Sequence, residues 1–287
     1  MRNAQLPGPV LKWAGGKTQL LDRILARLPE RIETYYEPFV GGAAVFFALA
    51  RERRFERAVL SDRNPDLVAV YRALQNDVSG VIDVLRGYRY SREEYYRIRG
   101  EKPRSLVKRA ARIIYLNKTG YNGLYRVNRS GQFNVPFGRY VNPKICDEQR
   151  LEAAAGALSG VEIAERDFEE TVRDVKPGDA VYFDPPYVPV SRTSNFTAYA
   201  RDGFGMDEHE RLARVFAELA QRGAHVVLSN SNTAATRRLF GSFRPERVLV
   251  ARSINSRTSG RGRIAEILVS AGPVEGQRAK RRAGRGR

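Results

Sequence analysis

Asp184, Pro185, Pro186 and Tyr187 form the segment of this chain whose residue types and spacing best suit chemistry. They follow the apolar run 180–183 (AVYF), which reads as a buried strand. The acid therefore falls at a strand's carboxyl end, the edge where open α/β sheets bind ligands. Two successive prolines remove two backbone donors and fix φ twice, so the turn is rigid and its carbonyls can face outward. Such a turn suits an exocyclic amine. The Asp184 carboxylate accepts one N–H and the Pro185 carbonyl the other, which leaves the nitrogen lone pair freer to attack. Against an electrophile with a good leaving group, such as a sulfonium methyl, positioning and electrostatics suffice, and Asp184 need not be a strong base. Tyr187 offers its ring to a base taken out of the stack. The plainer alternative is an ordinary proline turn after a strand.

Two glycine turns could serve this site. Trp13-Ala14-Gly15-Gly16-Lys17-Thr18 invites a phosphate-loop reading, but the glycine required five residues before Gly16 is Leu11, and no convincing strand precedes it. The segment reads instead as a glycine turn at a helix N-terminus. Lys17 would reach an anionic group such as a carboxylate, and Trp13 would pack on a flat ring or a cation. A buried tryptophan beside a surface lysine is the alternative. Phe39-Val40-Gly41-Gly42-Ala43 lies where a strand becomes a helix, so a ligand can approach its backbone closely. Asp62, after the next strand, is placed to hydrogen-bond ribose hydroxyls. A dinucleotide uses the same design, and this region alone does not choose the cofactor.

The elements that must position these residues follow from periodicity. Leu20, Leu21, Ile24, Leu25 and Leu28 recur at helical spacing before Pro29. Residues 34–39 and 57–61 read as strands, with a buried helix (AAVFFAL) between them and a further helix over 66–75. This is the opening of a doubly wound sheet. The stretch 91–118 reads as helical, capped by Ser91 with Glu94, its apolar face carrying Leu106, Ala110, Ile113 and Ile114, with Lys108, Arg109 and Arg112 off that face. Residues 119–142 break into turns and short strands around a hairpin turn at Ser130-Gly131. The α/β rhythm resumes with strands at 161–165, 180–183 and 224–229, a helix over about 207–222 ending at Gly223, and a closing hairpin from 246–253 and 264–270. The expected division is an α/β body from residues 1–75 and 151–273, an inserted module at 76–150, and a disordered basic tail at 274–287.

Lys+Arg number 50 against 32 Asp+Glu, a formal net charge of +18. Six of the basic residues lie in 278–287 (RAKRRAGRGR), and taking them away leaves +12, so the body itself is basic and nucleic acid is the first candidate partner. A basic surface without that purpose is the alternative. Within 118–140, basic and aromatic residues interleave: Lys118, Tyr121, Tyr125, Arg126, Arg129, Phe133, Phe137, Arg139, Tyr140. Arginine can clamp guanine or phosphate, and aromatics can wedge between bases or stack on them. A well-packed hairpin with a solvated face would look similar. Cys146 is the only cysteine, which excludes an internal disulfide and suits a reducing compartment. No apolar run approaches a membrane span, and no signal-peptide pattern opens the chain. A soluble, cytoplasmic protein is expected, and no metal site is read.

Taken together, LKWAGGK, EPFVGG, SDRNPDL, GYNGLYR…GQFNVPFGRY and DPPY resemble the Dam-type (D12 class, alpha group) DNA adenine-N6 methyltransferases, over residues ~8–270. The similarity is greatest to the GATC-methylating branch. The resemblance implies a Rossmann-like S-adenosylmethionine-dependent methyltransferase sheet with an inserted, mostly helical plus β-hairpin, DNA-recognition domain. It implies S-adenosyl-L-methionine as cofactor and duplex DNA as substrate, with the adenine flipped out. It implies no obligate protein partner, a monomer or weak dimer, and a nucleoid-associated location. By position it places Trp13, Ala14, Gly15, Gly16, Lys17, Glu37, Pro38, Phe39, Gly41, Asp62 and Asp184 around the cofactor, with Asp167 and Phe168 at its adenine. Asp184 through Tyr187 match the catalytic motif. Lys12, Tyr121, Asn122, Leu124, Arg126, Asn134, Pro136 and Arg139 match DNA-contacting positions, and Arg257 lies in a basic loop, 252–263, that resembles a phosphate-contacting one. The family usually has a second glycine where Ala43 stands; the added methyl is expected to tighten cofactor contacts. An RNA or cytosine amino-methyltransferase, or a non-catalytic DNA-binding protein of the same fold, are the alternatives.

Overall fold

The structure is a computed structural model that describes residues 5–13, 15, 17, 19–189, 204–251 and 263–273. Ala14, Gly16, Arg257, nearly all of the basic loop and the tail at 274–287 lie outside the described residues. Among the described residues, seven strands form one sheet: β1 (Ile32–Glu37), β2 (Phe55–Asp62), β3 (Glu162–Glu165), β4 (Ala180–Phe183), β5 (His225–Ser231), β6 (Glu246–Ala251) and β7 (Arg263–Ala271). Their order is β3-β2-β1-β4-β5-β7-β6. The first five strands are parallel, and β7 is antiparallel to both β5 and β6. Strand order reverses between β1 and β4, so the crevice beyond their carboxyl ends is the topological switch point where such sheets take ligands.

Both faces of the sheet are covered, which explains why its strands read as near-continuous apolar runs. Side chains alternate along each strand. Tyr35, Ala180, Tyr182 and Val227 join one buried cluster with α1 (Leu21–Leu25), α2 (Ala44–Arg51), α3 (Pro65–Arg86), α4 (Arg92–Gly100), α5 (Leu106–Thr119) and α6 (Glu148–Leu158). Tyr36, Val181, Phe183, Val226 and Leu228 join the other with α7 (Phe168–Thr171), α8 (Met206–Gln221) and α9 (Ala234–Phe240).

Several boundaries differ from the sequence reading. The helix after the first glycine pair is only Leu21–Leu25, although Leu20, Ile24, Leu25 and Leu28 are buried as expected. Arg54 reaches across to the carbonyls of Leu25, Leu28 and Pro29, satisfying groups that a longer helix would have paired internally. β1 begins two residues early and stops at Glu37, which puts Pro38 and Phe39 in the turn. Asp62 is the last residue of β2 rather than the first beyond it. The helix expected at 66–75 continues to Arg86 through a kink at Asp77.

The stretch 91–118 is two helices, because Glu101 turns to extended backbone before α5 begins. Ser91 does cap α4 by accepting from the Glu94 amide. Arg112 is 9% exposed, not solvated, and donates to the carbonyls of Ile98 and Arg99 at the end of α4, whereas Leu106 is 37% exposed. A charged group at that place satisfies a helix end that packing alone would leave orphaned. The hairpin at Ser130-Gly131 is present as a turn with isolated bridges Gly120–Phe137 and Val127–Phe133, not as continuous strands. α6 and α9 were not anticipated. Among the described residues no helix is long and apolar enough to cross a membrane.

Candidate active site

Asp184 leaves the carboxyl end of β4 at the switch point, with its side chain 23% exposed. Oδ2 is 2.7 Å from the Lys17 ammonium, and Oδ1 accepts from Ser229 Oγ at 3.0 Å. Ser229 in turn meets the Tyr182 hydroxyl at 2.9 Å. Lys17 therefore does reach a carboxylate, and it is the chain's own. The lysine is 5% exposed, also donates to the Gly15 carbonyl, and lies 4.9 Å from the centre of the Tyr187 ring. Burial pushes the Asp184 carboxyl up from its ordinary range, while Lys17 beside it pulls it down.

Glu37, at the end of β1, completes the crevice. It is 2% exposed, and its Oε2 accepts from the Tyr35 hydroxyl (2.8 Å) and the Phe46 amide (3.0 Å). Burial raises its pKa to about 8, against the pull of those two donors and with Asp184 adding repulsion. At neutral pH it is mostly the neutral acid and can donate as well as accept.

The turn from Asp184 to Val188 is clamped from β5 by three consecutive residues. Ser229 holds Asp184, Asn230 Oδ1 accepts from the Val188 amide at 3.1 Å, and Ser231 Oγ donates to the Val188 carbonyl. All three are buried, and Asn230 Nδ2 has no partner among the described residues. β5 was expected to end at 229, so Asn230 and Ser231 were missed. Their signal was a polar Ser-Asn-Ser closing an apolar strand on the ligand-binding edge. Glu266 was missed too; it accepts from the Tyr187 hydroxyl at 2.8 Å. Its signal was a lone acid inside the apolar strand RIAEILVS.

The two glycine turns lie against each other. A Cβ on Gly41, whose φ is +45°, would come within 2.9 Å of the Trp13 ring, so only glycine lets that ring lie on the turn. Asp62 Oδ2 accepts from the Gly41 amide (3.2 Å) and Oδ1 from the Asn64 amide (2.9 Å), tying the β2 end to the β1 turn. Phe39 stacks on Phe168 at 5.5 Å, which brings the Asp167 turn beside that of β1. Asp167 caps α7 through the Glu169 amide and pairs with Arg211 at 2.7 Å, and Arg211 also covers the Phe168 ring at 4.3 Å. Nothing in the sequence pattern marked Arg211.

Ala43 corrects one expectation. It is 1% exposed within the main core, so its methyl packs inward and does not tighten ligand contacts. It sits at φ 55°, ψ 32°, a left-handed conformation that costs an L-residue ~1–2 kcal/mol. Glycine would relieve that cost. It would forfeit ~0.8 kcal/mol of methyl burial and add unfolded-chain freedom worth ~0.4–1 kcal/mol. The contributions offset, so Ala43→Gly is expected to move the calorimetric melting midpoint by less than ~4 °C in either direction.

A second surface adjoins the first. Trp13 packs on Tyr125 at 5.3 Å, and the Tyr125 hydroxyl donates to Asp66 at the start of α3, where Arg109 also binds. Asn117 near the end of α5 holds the Lys12 backbone through both its amide and its carbonyl, and Gly123 packs under the Lys12 side chain. Lys12 lies over the Tyr140 ring at 5.0 Å. Lys12, Tyr121, Asn122, Arg126, Pro136 and Arg139 are exposed; Leu124 and Asn134 are half-buried. Arg126 is anchored by Asn134, with Nε on Oδ1 at 2.7 Å and Nη2 on the backbone carbonyl at 3.1 Å. Tyr121, 45% exposed, donates its amide to the Pro136 carbonyl.

Fold and site together define a doubly wound α/β protein with a Lys17–Asp184 ion pair at the β1/β4 crevice. Residues 13–254 match the family model of D12 class N6 adenine-specific DNA methyltransferase, and the chain belongs to that family. It is 40% identical over 272 residues to a Type II methyltransferase of Lactococcus lactis subsp. cremoris, covering 91% of this chain and 94% of that one. It is 43% identical over 282 residues to a Type II methyltransferase of Methanocaldococcus jannaschii, covering 91% and 98%. It is 36% identical over 264 residues to the DNA adenine methylase of Escherichia coli K12, covering 90% and 93%.

Proposed function

We propose that this adenine-specific DNA methyltransferase takes its methyl from S-adenosyl-L-methionine and acts on an adenine flipped out of duplex DNA, within the sequence GATC. The observation that carries the reading is the Asp184 carboxylate at the switch point, held by Lys17 and Ser229 with one side open. The donor set suits the cofactor. Asp184 and Glu37 are two carboxyl groups facing a crevice where a sulfonium and an ammonium would sit, Lys17 answers a carboxylate, and Asp62 lies at the end of β2 for ribose hydroxyls. The cofactor supplies an electrophilic methyl with a neutral thioether leaving group.

The chain's own residues do the rest. Asp184 and the Pro185 carbonyl accept the two N6–H bonds and aim the lone pair, and Ser229 and Lys17 keep the carboxylate from turning away. Tyr187 stacks on the flipped base, which offsets the few kcal/mol that unstacking costs. Trp13, Gly15, Gly41, Pro38 and Phe39 shape the cofactor's walls, and Asp167 with Phe168 faces its adenine.

Residues 76–150 act as the target-recognition module set into the α/β body. In it, Tyr121 and Asn122 enter the duplex, Arg126 reads a guanine, Leu124 and Pro136 meet neighbouring bases, and Asn134 and Arg139 support them; Lys12, from the α/β body, reads a guanine beside them. The protein acts without an obligate protein partner, as a monomer or weak dimer in the cytoplasm. Methylation of plasmid DNA, followed by digestion with methylation-sensitive nucleases and sequencing of modified positions, tests the assignment; modification away from GATC would overturn the site. Arg126→Ala is expected to cost roughly 1–3 kcal/mol of discrimination at one position while leaving general binding nearly intact. Binding titrations on cognate and mismatched duplexes check it: an equal loss on all sequences would make Arg126 a phosphate contact.

A further inference from the structure

Tyr187 is pinned at more points than a stacking ring requires. Its chain is fixed one residue on, where Asn230 and Ser231 hold both polar groups of Val188. The centre of its ring lies 4.9 Å from the Lys17 ammonium, and its hydroxyl donates to Glu266 Oε2 at 2.8 Å. Glu266 comes from β7, the antiparallel strand, in register with Ser231 of β5. Its strand neighbours Ile267 and Leu268 are 1% exposed and serve the core, so the sheet does not need an acid there. The Tyr187 hydroxyl is the one hydrogen-bond partner that the Glu266 carboxylate has among the described residues. A half-buried carboxyl in an apolar strand is costly to the fold unless it is bonded, and here its bond goes to the catalytic turn.

We propose that Glu266 is a positioning residue for the target base: by gripping the Tyr187 hydroxyl it fixes where the ring lies and biases its tilt, so that a flipped adenine stacks with its amino group in line with Asp184. The inference rests on the reading of Tyr187 as the base's stacking partner. A tyrosine ring swings about χ1 and χ2, and an ammonium near its centre restrains it only weakly. A hydrogen bond at the far end of the ring fixes χ1, and because a phenolic O–H prefers the ring plane, an acceptor held on one side also biases χ2. Misplacement of the reacting nitrogen by a fraction of an ångström is enough to slow transfer.

The test uses the full chain with Y187F, E266Q, E266L and the double variant Y187F/E266L. It also uses a duplex carrying 2-aminopurine in place of the methylated adenine. Expected is a fall in kcat of about tenfold for Y187F and for E266L, with cofactor Kd within about threefold of wild type and melting midpoints unchanged. The double variant falls no further than either single one, because both remove the same bond. E266Q, whose carbonyl still accepts from the hydroxyl, recovers most of the rate. The 2-aminopurine fluorescence that rises with wild-type enzyme is altered by E266L and by Y187F in the same way. Multiplying losses in the double variant, or E266Q as slow as E266L, would overturn the tether, since Glu266 would then act on its own or by charge. A wild-type fluorescence rise that E266L and Y187F both keep would overturn the tether alone. No rise with wild-type enzyme would remove the stacking reading and the tether with it.

Discussion

Asp184→Ala is expected to lower the methylation rate by at least about 10³-fold while changing the DNA dissociation constant less than about threefold. The side chain makes no contribution to the exposed surface formed by Lys12 and residues 121–140, and removing an anion cannot weaken attraction to phosphates. It does remove the counter-ion of Lys17 and, in the proposed mechanism, the acceptor of one N6–H. Asp184→Asn separates those two effects. An amide oxygen can accept from the amine or from Lys17 but carries no charge, so this variant should fall between the two, about 10²-fold down. Single-turnover transfer from labelled cofactor, with fluorescence anisotropy for DNA, gives both numbers. An alanine variant within tenfold of wild type would show that the carboxylate does not hold the amine.

The second large effect belongs to Lys17→Met, which keeps the side chain's length and removes its charge. Burial raises the Asp184 pKa, and Lys17 is the chief influence holding it down. Without the ammonium, the carboxyl stays protonated to higher pH and accepts from the amine only as the weaker, uncharged acid. The rate at neutral pH should fall by about 10²-fold and climb as pH rises, so the acid limb of the kcat profile moves to higher pH. Stability should run the other way. A carboxyl whose folded pKa lies above its unfolded one is favoured in its protonated form, so the variant loses stability as pH rises through that interval. Rate profiles and melts from pH 6 to 9 check both. A flat loss of rate at every pH would mean that Lys17 acts on the cofactor and not through Asp184.

What could be read in the sequence follows from which physics is local. Asp184-Pro185-Pro186-Tyr187 declared itself because proline geometry and an apolar strand are both visible within eight residues. The glycine turns were legible for the same reason, and so was the pairing tendency of Lys17. The partners that hold the site were not. Ser229, Asn230, Ser231 and Glu266 meet the catalytic turn across 42 to 79 positions of chain, and no periodicity encodes such a distance. Arg112 misled in the opposite direction. A basic residue off an apolar face reads as solvated, yet tertiary placement buried it against the end of another helix. Ala43 shows the same limit: only its backbone angles reveal that the methyl is tolerated rather than useful.

The order of the sheet has a consequence for synthesis. Of the seven described strands β7 comes last in the sequence, yet it lies between β5 and β6. Until it arrives, β5 presents a bare edge and β6 has no neighbour, both of them templates for pairing with another chain. The nascent protein therefore carries a marked risk of clumping until β7 emerges. A message cut short of β7 would yield a product that possesses every motif of the active centre and still has nothing to grip Tyr187 or close the sheet.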